Sequence, residues 1–205
     1  LFLEKNKTPV TIAVIAVLVI VGGILGYKKF VMEPHEKQAQ DAIWKAQYYF
    51  EIDSLDLALN GDGNYFGFNQ VADDYGNTAT GKLAKFYIAV IDHQKGDYEA
   101  ALQFYKEADL EDDVLRVMAV GNQGDVLVEL GRPAEAVDQF MKAADLVKSD
   151  YTTPMFLMKA GIVYQEQKDW KNAAKCFDRI ASDYPGSPDA STAKKYAARA
   201  KGLES

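Results

Sequence analysis

Two patterns of hydrophobic residues divide this chain. Residues 10–26 form an apolar run without a charged side chain, in which Thr11 carries the only hydroxyl group. At about 1.5 Å per residue, a helix from Thr8 to Tyr27 is about 30 Å long, which matches the hydrocarbon core of a membrane. Downstream, apolar residues recur at the three- and four-residue spacing of amphipathic helices. The patterns predict an all-α chain with a flank at residues 1–9, a transmembrane segment at residues 10–29 and a helical domain at residues 30–205.

The flanks of the apolar run indicate how it is used. Lys5 and Lys7 precede it, and Tyr27, Lys28 and Lys29 follow it, as expected where an aromatic ring and lysines meet lipid headgroups. A buried core helix and a cleavable signal peptide are the alternatives, but no small-x-small cleavage site separates the run from the second lysine pair. We therefore interpret the segment as an uncleaved signal anchor in membrane lipid. The two lysine pairs balance, so the positive-inside rule does not orient it.

The apolar run also contains a candidate contact with another membrane helix. Gly22 and Gly26 form a GxxxG pair, and Gly23 lies beside them. Small residues at this spacing allow two helices to approach closely in lipid.

The helical domain contains an internal repeat. Segments at residues 96–108, 131–143 and 168–180 align, so that a small residue is followed one turn later by an aromatic ring, and a second small residue lies twelve positions upstream. In chain order the aligned residues are Ala101, Ala136 and Ala173, then Tyr105, Phe140 and Phe177, with Ala89, Gly124 and Gly161 upstream. A small residue lets paired helices approach, and the ring fills the space between neighbouring hairpins.

This pattern resembles the tetratricopeptide repeat, whose period is about 34 residues. The resemblance implies a right-handed α-solenoid of about four helical hairpins plus a capping helix. We expect a degenerate hairpin at residues 34–76, repeats at residues 78–109, 113–147 and 152–184, and the cap at residues 187–202. Asn60–Asn64 is expected to separate the two helices of the first hairpin. Asp92 departs from the family pattern, which has a bulky residue at that position.

Charge narrows the range of partners. From Phe30 onward the chain has 19 basic and 29 acidic residues. Such a surface does not favour nucleic acid or anionic lipid headgroups, so we expect no nucleic-acid partner. The acidic run at residues 109–113 is expected to begin a helix, where the helix dipole favours negative charge.

Few residues suggest catalysis or metal binding. Cys176 is the only cysteine, which excludes an internal disulfide, and its place beside an aligned ring predicts a buried thiol. His93 is expected at the end of a first helix. Residues 56–62 loosely resemble a calcium loop, but Ala58 and Gly67 stand where oxygen ligands are needed. We therefore expect no catalytic residue, metal or cofactor, and no enzyme activity.

In tetratricopeptide repeats, the first helix of each hairpin lines a concave surface, and this resemblance implies a partner-binding face here. Its residues are Leu83, Phe86, Val90 and His93; Met118, Asp125, Val128 and Glu129; and Met155, Met158, Ile162, Gln165 and Glu166. Three methionines and a phenylalanine make the face apolar and adaptable. The basic and asparagine residues with which some relatives clamp a terminal carboxylate are missing. We expect an apolar peptide or a partner's helix to bind here, with packing between repeats as the alternative role for some of these residues.

The ends of the apolar run indicate a narrower relationship. Residues 2–7, Phe-Leu-Glu-Lys-Asn-Lys, precede it, and residues 26–30, Gly-Tyr-Lys-Lys-Phe, follow it. Together with the repeats, these segments resemble the ancillary subunits of the bacterial SecYEG translocation channel. The resemblance implies a single-pass protein of the bacterial inner membrane, with a cytoplasmic N-terminus and a periplasmic repeat domain. The implied partners are SecYEG channel subunits and a membrane-anchored periplasmic chaperone of the peptidyl-prolyl isomerase type. The alternative is a scaffold for another envelope complex, in outer-membrane biogenesis, secretion or division.

Overall fold

The computed structural model describes residues 7–204, except for the side chains of residues 7–10 and 13. Within that range every regular element is a helix, in agreement with the all-α prediction. The elements are α1 (Lys7–Tyr27), a π-helical turn (Lys28–Met32), α2 (Glu33–Glu51), α3 (Leu55–Asn60), α4 (Phe68–Asp74), α5 (Ala79–Lys95), α6 (Tyr98–Glu107), α7 (Asp113–Glu129), α8 (Pro133–Leu146), α9 (Thr152–Glu166), α10 (Trp170–Asp183) and α11 (Ala190–Glu204).

The first two helices form one continuous rod. Helix α1, the π-helical turn and α2 follow one another without a loop. The wider π-helical turn ends at Met32, two residues before Pro34, whose nitrogen has no hydrogen to donate to the preceding turn. The helix therefore continues through the boundary that the sequence predicts between residues 29 and 30. No flexible segment separates the apolar helix from the repeat domain.

Within residues 7–204, no other element covers helix α1. Every described side chain from Thr11 to Leu25 is exposed. By length and composition, this helix is sufficient to cross a membrane.

Three regular hairpins, α5–α6, α7–α8 and α9–α10, form the middle of the stack, and each helix packs against the next. Their turns share one backbone feature, a residue with positive φ, which is Gly96 (84°), Gly131 (68°) or Lys168 (62°). Each lies five residues before the aligned alanine. Glycine adopts this left-handed conformation without a steric penalty, whereas Lys168 adopts it at a cost.

The first hairpin has the same turn, but its residue with positive φ is an aspartate. Asp53 has a φ of 59° and lies five residues before Ala58, which is fully buried in α3. The turn is therefore at Ile52–Ser54, and the glycine-rich insert interrupts the second helix between α3 and α4. The sequence predicts instead that Asn60–Asn64 separates the two helices. Aspartate tolerates the left-handed conformation, so this turn forms without glycine and is hard to detect in the sequence.

The aligned rings close each hairpin and also join it to the next element. A Cβ on Gly124 would lie 2.5 Å from the ring of Phe140, and a Cβ on Gly161 would lie 2.5 Å from the ring of Phe177. Phe140 also stacks on Phe156 of the following hairpin, with ring centroids 6.3 Å apart. The two upstream glycines are therefore the positions where the rings pack, and Phe140 also fills the space between hairpins, as the repeat predicts.

Helix α11 caps the C-terminal end of the stack. The ring of Tyr196 meets that of Phe177 edge to face, with centroids 5.3 Å apart. Four alanines form the buried side of the cap, namely Ala190, Ala193, Ala197 and Ala200. One hydrophobic cluster extends from α5 to this cap, a second extends from α2 to α5, and Leu83 packs against both.

Candidate protein-binding surface

The predicted face lies on α5, α7 and α9, the first helices of the three regular hairpins, and none of its side chains is fully buried. The half-buried residues are Leu83, Phe86, Val90, His93, Met118, Asp125, Met155, Met158 and Gln165. The exposed residues are Val128, Glu129, Ile162 and Glu166. The side chains of this face are thus at least partly accessible to a partner.

Several residues of this face also hold the hairpins together. Leu83, Phe86, Val90, Met118, Met155 and Met158 pack against the main hydrophobic cluster. The ring of Phe86, for example, lies 5.8 Å from that of Tyr105. Val128 and Ile162 are the most exposed apolar side chains of the face, and each is 38% exposed. These two are the apolar side chains best placed to contact a partner.

An ion pair crosses the face between two hairpins. The Nζ atom of Lys159 lies 2.7 and 2.6 Å from the two carboxylate oxygens of Asp125. The same ammonium group lies 5.7 Å from the ring centroid of Phe140 and 5.6 Å from that of Phe156. Because both charged groups are partly exposed, the pair contributes at most about 1 kcal/mol. The sequence analysis selected Asp125 but not Lys159. The one feature of the sequence that could have indicated the pair is a lysine 34 residues, or one repeat, after the aspartate.

His93 lies at the edge of the face, in the last turn of α5. Its ring is 5.9 Å from that of Tyr98 and 6.4 Å from that of Tyr105. Burial raises the pKa of Tyr105 to about 12, and its hydroxyl accepts a hydrogen bond of 3.2 Å from the amide of Asn122. Within residues 7–204 the imidazole of His93 has no hydrogen-bond partner. These neighbours suit a packing residue better than a general base, which needs an orienting group.

The single thiol is enclosed in the repeat core. Cys176 is 4% exposed, and its Sγ lies 3.8 Å from the Sδ of Met141. Burial raises the pKa of Cys176 to about 11, so little of the reactive thiolate forms near neutral pH. The part of the chain that the structure describes contains no group of three or more His, Cys, Asp or Glu side chains that could hold a metal ion.

The loop that loosely resembles a calcium site is closed by its own hydrogen bonds. The carboxylate of Asp62 accepts a hydrogen bond of 2.7 Å from the hydroxyl of Tyr49. It also accepts hydrogen bonds from the backbone N–H groups of Asn64 (2.9 Å) and Tyr65 (2.8 Å). The bond from Tyr49, followed by the two backbone bonds, lowers the pKa of Asp62. Asp62 therefore organises the loop.

The glycines of the apolar helix are open to another helix. A Cβ on Gly22, Gly23 or Gly26 would meet no atom within 4 Å in the described structure. Residues 2–6, which belong to the lead-in that the SecYEG resemblance uses, lie outside the described residues.

Comparison with known families agrees with the repeat. Residues 156–187, which include most of α9 and all of α10, match the family model described as Tetratricopeptide repeat. No curated protein matches the chain. The match and the stack of helical hairpins together confirm the predicted tetratricopeptide-repeat fold. This is a fold that presents extended surfaces to other proteins, so a role in protein–protein interaction follows from it in general terms.

Proposed function

We propose that this protein is a non-catalytic scaffold that α1 anchors in a membrane and that binds a partner protein on the face of α5, α7 and α9. One observation carries the proposal. The same chain combines an uncovered apolar helix long enough to cross a membrane with a repeat domain whose first-helix face stays accessible.

The exposure of α1 supports the membrane anchor. Leu18 is 65% exposed and Ile24 is 62% exposed, and their neighbours along the helix are similar. Leaving such side chains in water costs on the order of 1 kcal/mol or more each, and lipid removes that cost. Because α1 continues into α2, the anchor holds the repeat domain close to the membrane. It thereby raises the effective concentration of the binding face near membrane partners.

The resemblance at residues 26–30, with the repeat arrangement, supports a narrower proposal. The membrane is the bacterial inner membrane, the N-terminus is cytoplasmic and the repeat domain is periplasmic. Helix α1 binds the SecYEG channel, and the face of the three hairpins recruits a membrane-anchored chaperone of the peptidyl-prolyl isomerase type to the channel exit. The emerging chain is the less favoured occupant of that face.

The chemistry of the face supports an amphipathic helix as the ligand. Val128 and Ile162 offer apolar contacts on two successive hairpins. Glu129 and Glu166 lie exposed at the ends of α7 and α9, where basic residues of a ligand can pair with them. Such a helix buries its apolar stripe and leaves its charged side toward these carboxylates.

The test is affinity capture of the full chain from native membranes in mild detergent, with quantitative mass spectrometry of copurifying proteins. The test variant is Val128→Glu with Ile162→Glu, because Phe86 and Met155 also pack in the core. Leu203→Glu, on a side chain 48% exposed in the cap, is the matched control. Wild type and control should enrich SecYEG and the isomerase. The double variant should copurify with about tenfold less isomerase and an unchanged amount of SecYEG.

Two other results would change the proposal. Equal isomerase enrichment by a folded double variant would exclude this face as the binding site. Enrichment of another envelope complex without SecYEG would reject the translocon assignment and leave the scaffold. Thermal unfolding of each variant shows whether a loss of binding reflects a loss of fold.

A further inference from the structure

A second accessible surface lies on the first hairpin. Trp44, Tyr48 and Tyr65 are 49%, 45% and 46% exposed, and we call these three residues the aromatic corner. Trp44 and Tyr65 meet edge to face, with ring centroids 5.4 Å apart. The ammonium group of Lys45 lies 4.5 Å from the ring centroid of Tyr48 and 5.4 Å from that of Trp44, which holds the rings together.

In the described part of the chain, no hairpin covers the aromatic corner. Helix α2 is the first helix of the stack, and within residues 7–204 only α1 and the π-helical turn precede it. Large aromatic side chains grouped on a protein surface are typical of binding sites, because tryptophan and tyrosine contribute much of the affinity at interfaces.

The loop after α3 holds Tyr65 in place. Gly61 has a φ of 77°, a conformation that favours glycine. Asp62 then accepts hydrogen bonds from the backbone N–H of Tyr65 and from the hydroxyl of Tyr49, so the loop is tied to α2. A surface that is already ordered loses little conformational entropy when a ligand binds.

Beside these rings is a cavity of about 360 Å³ with polar groups available to a ligand. Its lining includes Gln38, Asp41, Trp44, Asn64, Tyr65 and Tyr75. Within residues 7–204, no hydrogen-bond partner is present for the indole N–H of Trp44 or for the hydroxyls of Tyr48 and Tyr65. The side chain of Asp41 is likewise unpaired in that range. The site therefore offers hydrogen-bond donors beside the rings, one negative charge from Asp41 and one positive charge from Lys45.

We propose that the aromatic corner binds an extended, proline-rich segment of a partner protein that carries a basic residue. A polyproline II helix has no internal hydrogen bonds, so its carbonyls need external donors, and its proline rings pack on aromatic faces. Trp44, Tyr48 and Tyr65 supply both. Asp41 and the acidic surface of the domain match the basic residue. An amphipathic helix needs a continuous apolar groove, which the amides and the carboxylate interrupt here.

This inference is independent of the face on α5, α7 and α9, and it has its own test. The chain has two tryptophans, so Trp170→Phe leaves Trp44 as the single tryptophan, whose fluorescence is followed in the full chain in detergent or a lipid nanodisc. The probe is an arginine-flanked polyproline peptide, compared with the same peptide in which alanine replaces proline. We expect saturable binding of the proline peptide and at least tenfold weaker binding of the alanine peptide.

Variants connect that binding to the aromatic corner. Tyr65→Ala and Tyr48→Ala should each weaken the affinity for the proline peptide about tenfold, and Asp41→Asn about threefold, with the Asp41 effect disappearing at high salt. Tyr151→Ala, on a side chain 80% exposed at the other end of the stack, should leave the affinity unchanged. Circular dichroism shows whether each variant is folded. If Tyr65→Ala disturbs the loop, the result for Tyr48→Ala, on α2, tests the proposal.

Several results would overturn the inference. These are an absence of saturable binding, equal affinity for the alanine peptide, or unchanged affinity in both folded tyrosine variants. A Trp44 signal that instead follows protein concentration, together with a dimer in sedimentation, would assign the corner to a second copy of the chain.

Discussion

The two ends of the helical stack differ in whether a further helix covers them. At the C-terminal end, α11 covers the last hairpin with a row of small buried side chains, including Ala193 and Ala197. At the N-terminal end, α2 continues the apolar helix α1 and leaves Trp44 and Tyr48 exposed. A repeat stack needs a polar cap at each open end. The difference is the basis of our proposal that the N-terminal end of the stack contacts another molecule.

The interiors of these two regions also differ. In two of the regular hairpins, a ring packs against a glycine of the paired helix, as Phe177 packs against Gly161. The first hairpin packs rings on rings, with Phe68 stacked on Tyr87 at 4.6 Å between centroids and Phe50 edge to face on Tyr87 at 5.1 Å. Ring-on-ring packing does not need the small-residue spacing of the repeat. The first hairpin is therefore difficult to recognise from that spacing.

The largest expected effect separates the buried rings from the exposed ones. Phe140→Ala should lower the free energy of unfolding by about 3–5 kcal/mol, because it leaves a cavity in a closed core. Trp44→Ala should lower it by less than about 1 kcal/mol, because the indole is half exposed. Denaturant unfolding of the full chain, followed by circular dichroism, measures both. Equal losses would mean that the aromatic corner belongs to the core.

The thiol tests whether the C-terminal hairpins are closed to solvent. With the pKa of Cys176 at about 11, the thiolate fraction at pH 8 is about 100-fold below that of an ordinary cysteine. Reaction with a disulfide reagent should be at least that much slower in the folded protein than in denaturant. Fast labelling of the folded chain would show that the last hairpin opens readily, and would also reopen the question of a reactive cysteine.

A smaller loss of stability is expected where a ring packs against a glycine. Gly124→Ala should destabilise the protein by about 2 kcal/mol, because the added methyl group meets the ring of Phe140. Gly186→Ala is the matched control, since a Cβ there meets no atom within 4 Å, and it should change stability by less than about 0.5 kcal/mol. Similar unfolding curves for both variants would contradict the role of Gly124.

The smallest effect concerns the link between the rod and the repeats. The carboxylate of Glu36 on α2 accepts hydrogen bonds from the hydroxyl (2.6 Å) and the backbone N–H (3.2 Å) of Thr80 on α5. Burial alone would raise the pKa of Glu36, but hydrogen bonds from Thr80 and Gln40 outweigh it and lower the pKa. Because the site is partly exposed, Glu36→Gln should cost only about 1 kcal/mol at neutral pH.

The pH dependence of that effect has a definite sign. A carboxyl group whose pKa is lowered by folding contributes its full stability above its unfolded pKa, about 4.3 for glutamate, and loses it as the pH falls through the folded value. The stability difference between wild type and Glu36→Gln should therefore shrink below about pH 4. A difference that is constant from pH 7 to pH 3 would show that the charge of Glu36 is not involved.

Local patterns were sufficient for much of the fold. The helices of the three regular hairpins, their order and the acidic start of α7 were predicted. Asp112 indeed caps α7, accepting hydrogen bonds of 3.0 and 2.9 Å from the N–H groups of Val114 and Leu115. The turn at Asp53 was not predicted, because a left-handed aspartate resembles any other polar residue in sequence. For the candidate face, the helices could be predicted, but the division between packing residues and accessible ones could not.

The sequence by itself determined the repeat and the apolar helix, because helical periodicity and the small-residue and ring spacing are contained within about 35 residues of chain. Only the tertiary structure decided which distant groups meet. The pair of Lys159 with Asp125, the tie between Glu36 and Thr80, and the aromatic corner all depend on how successive hairpins are stacked. Such contacts follow from the register and rotation of whole helices, which no local pattern encodes.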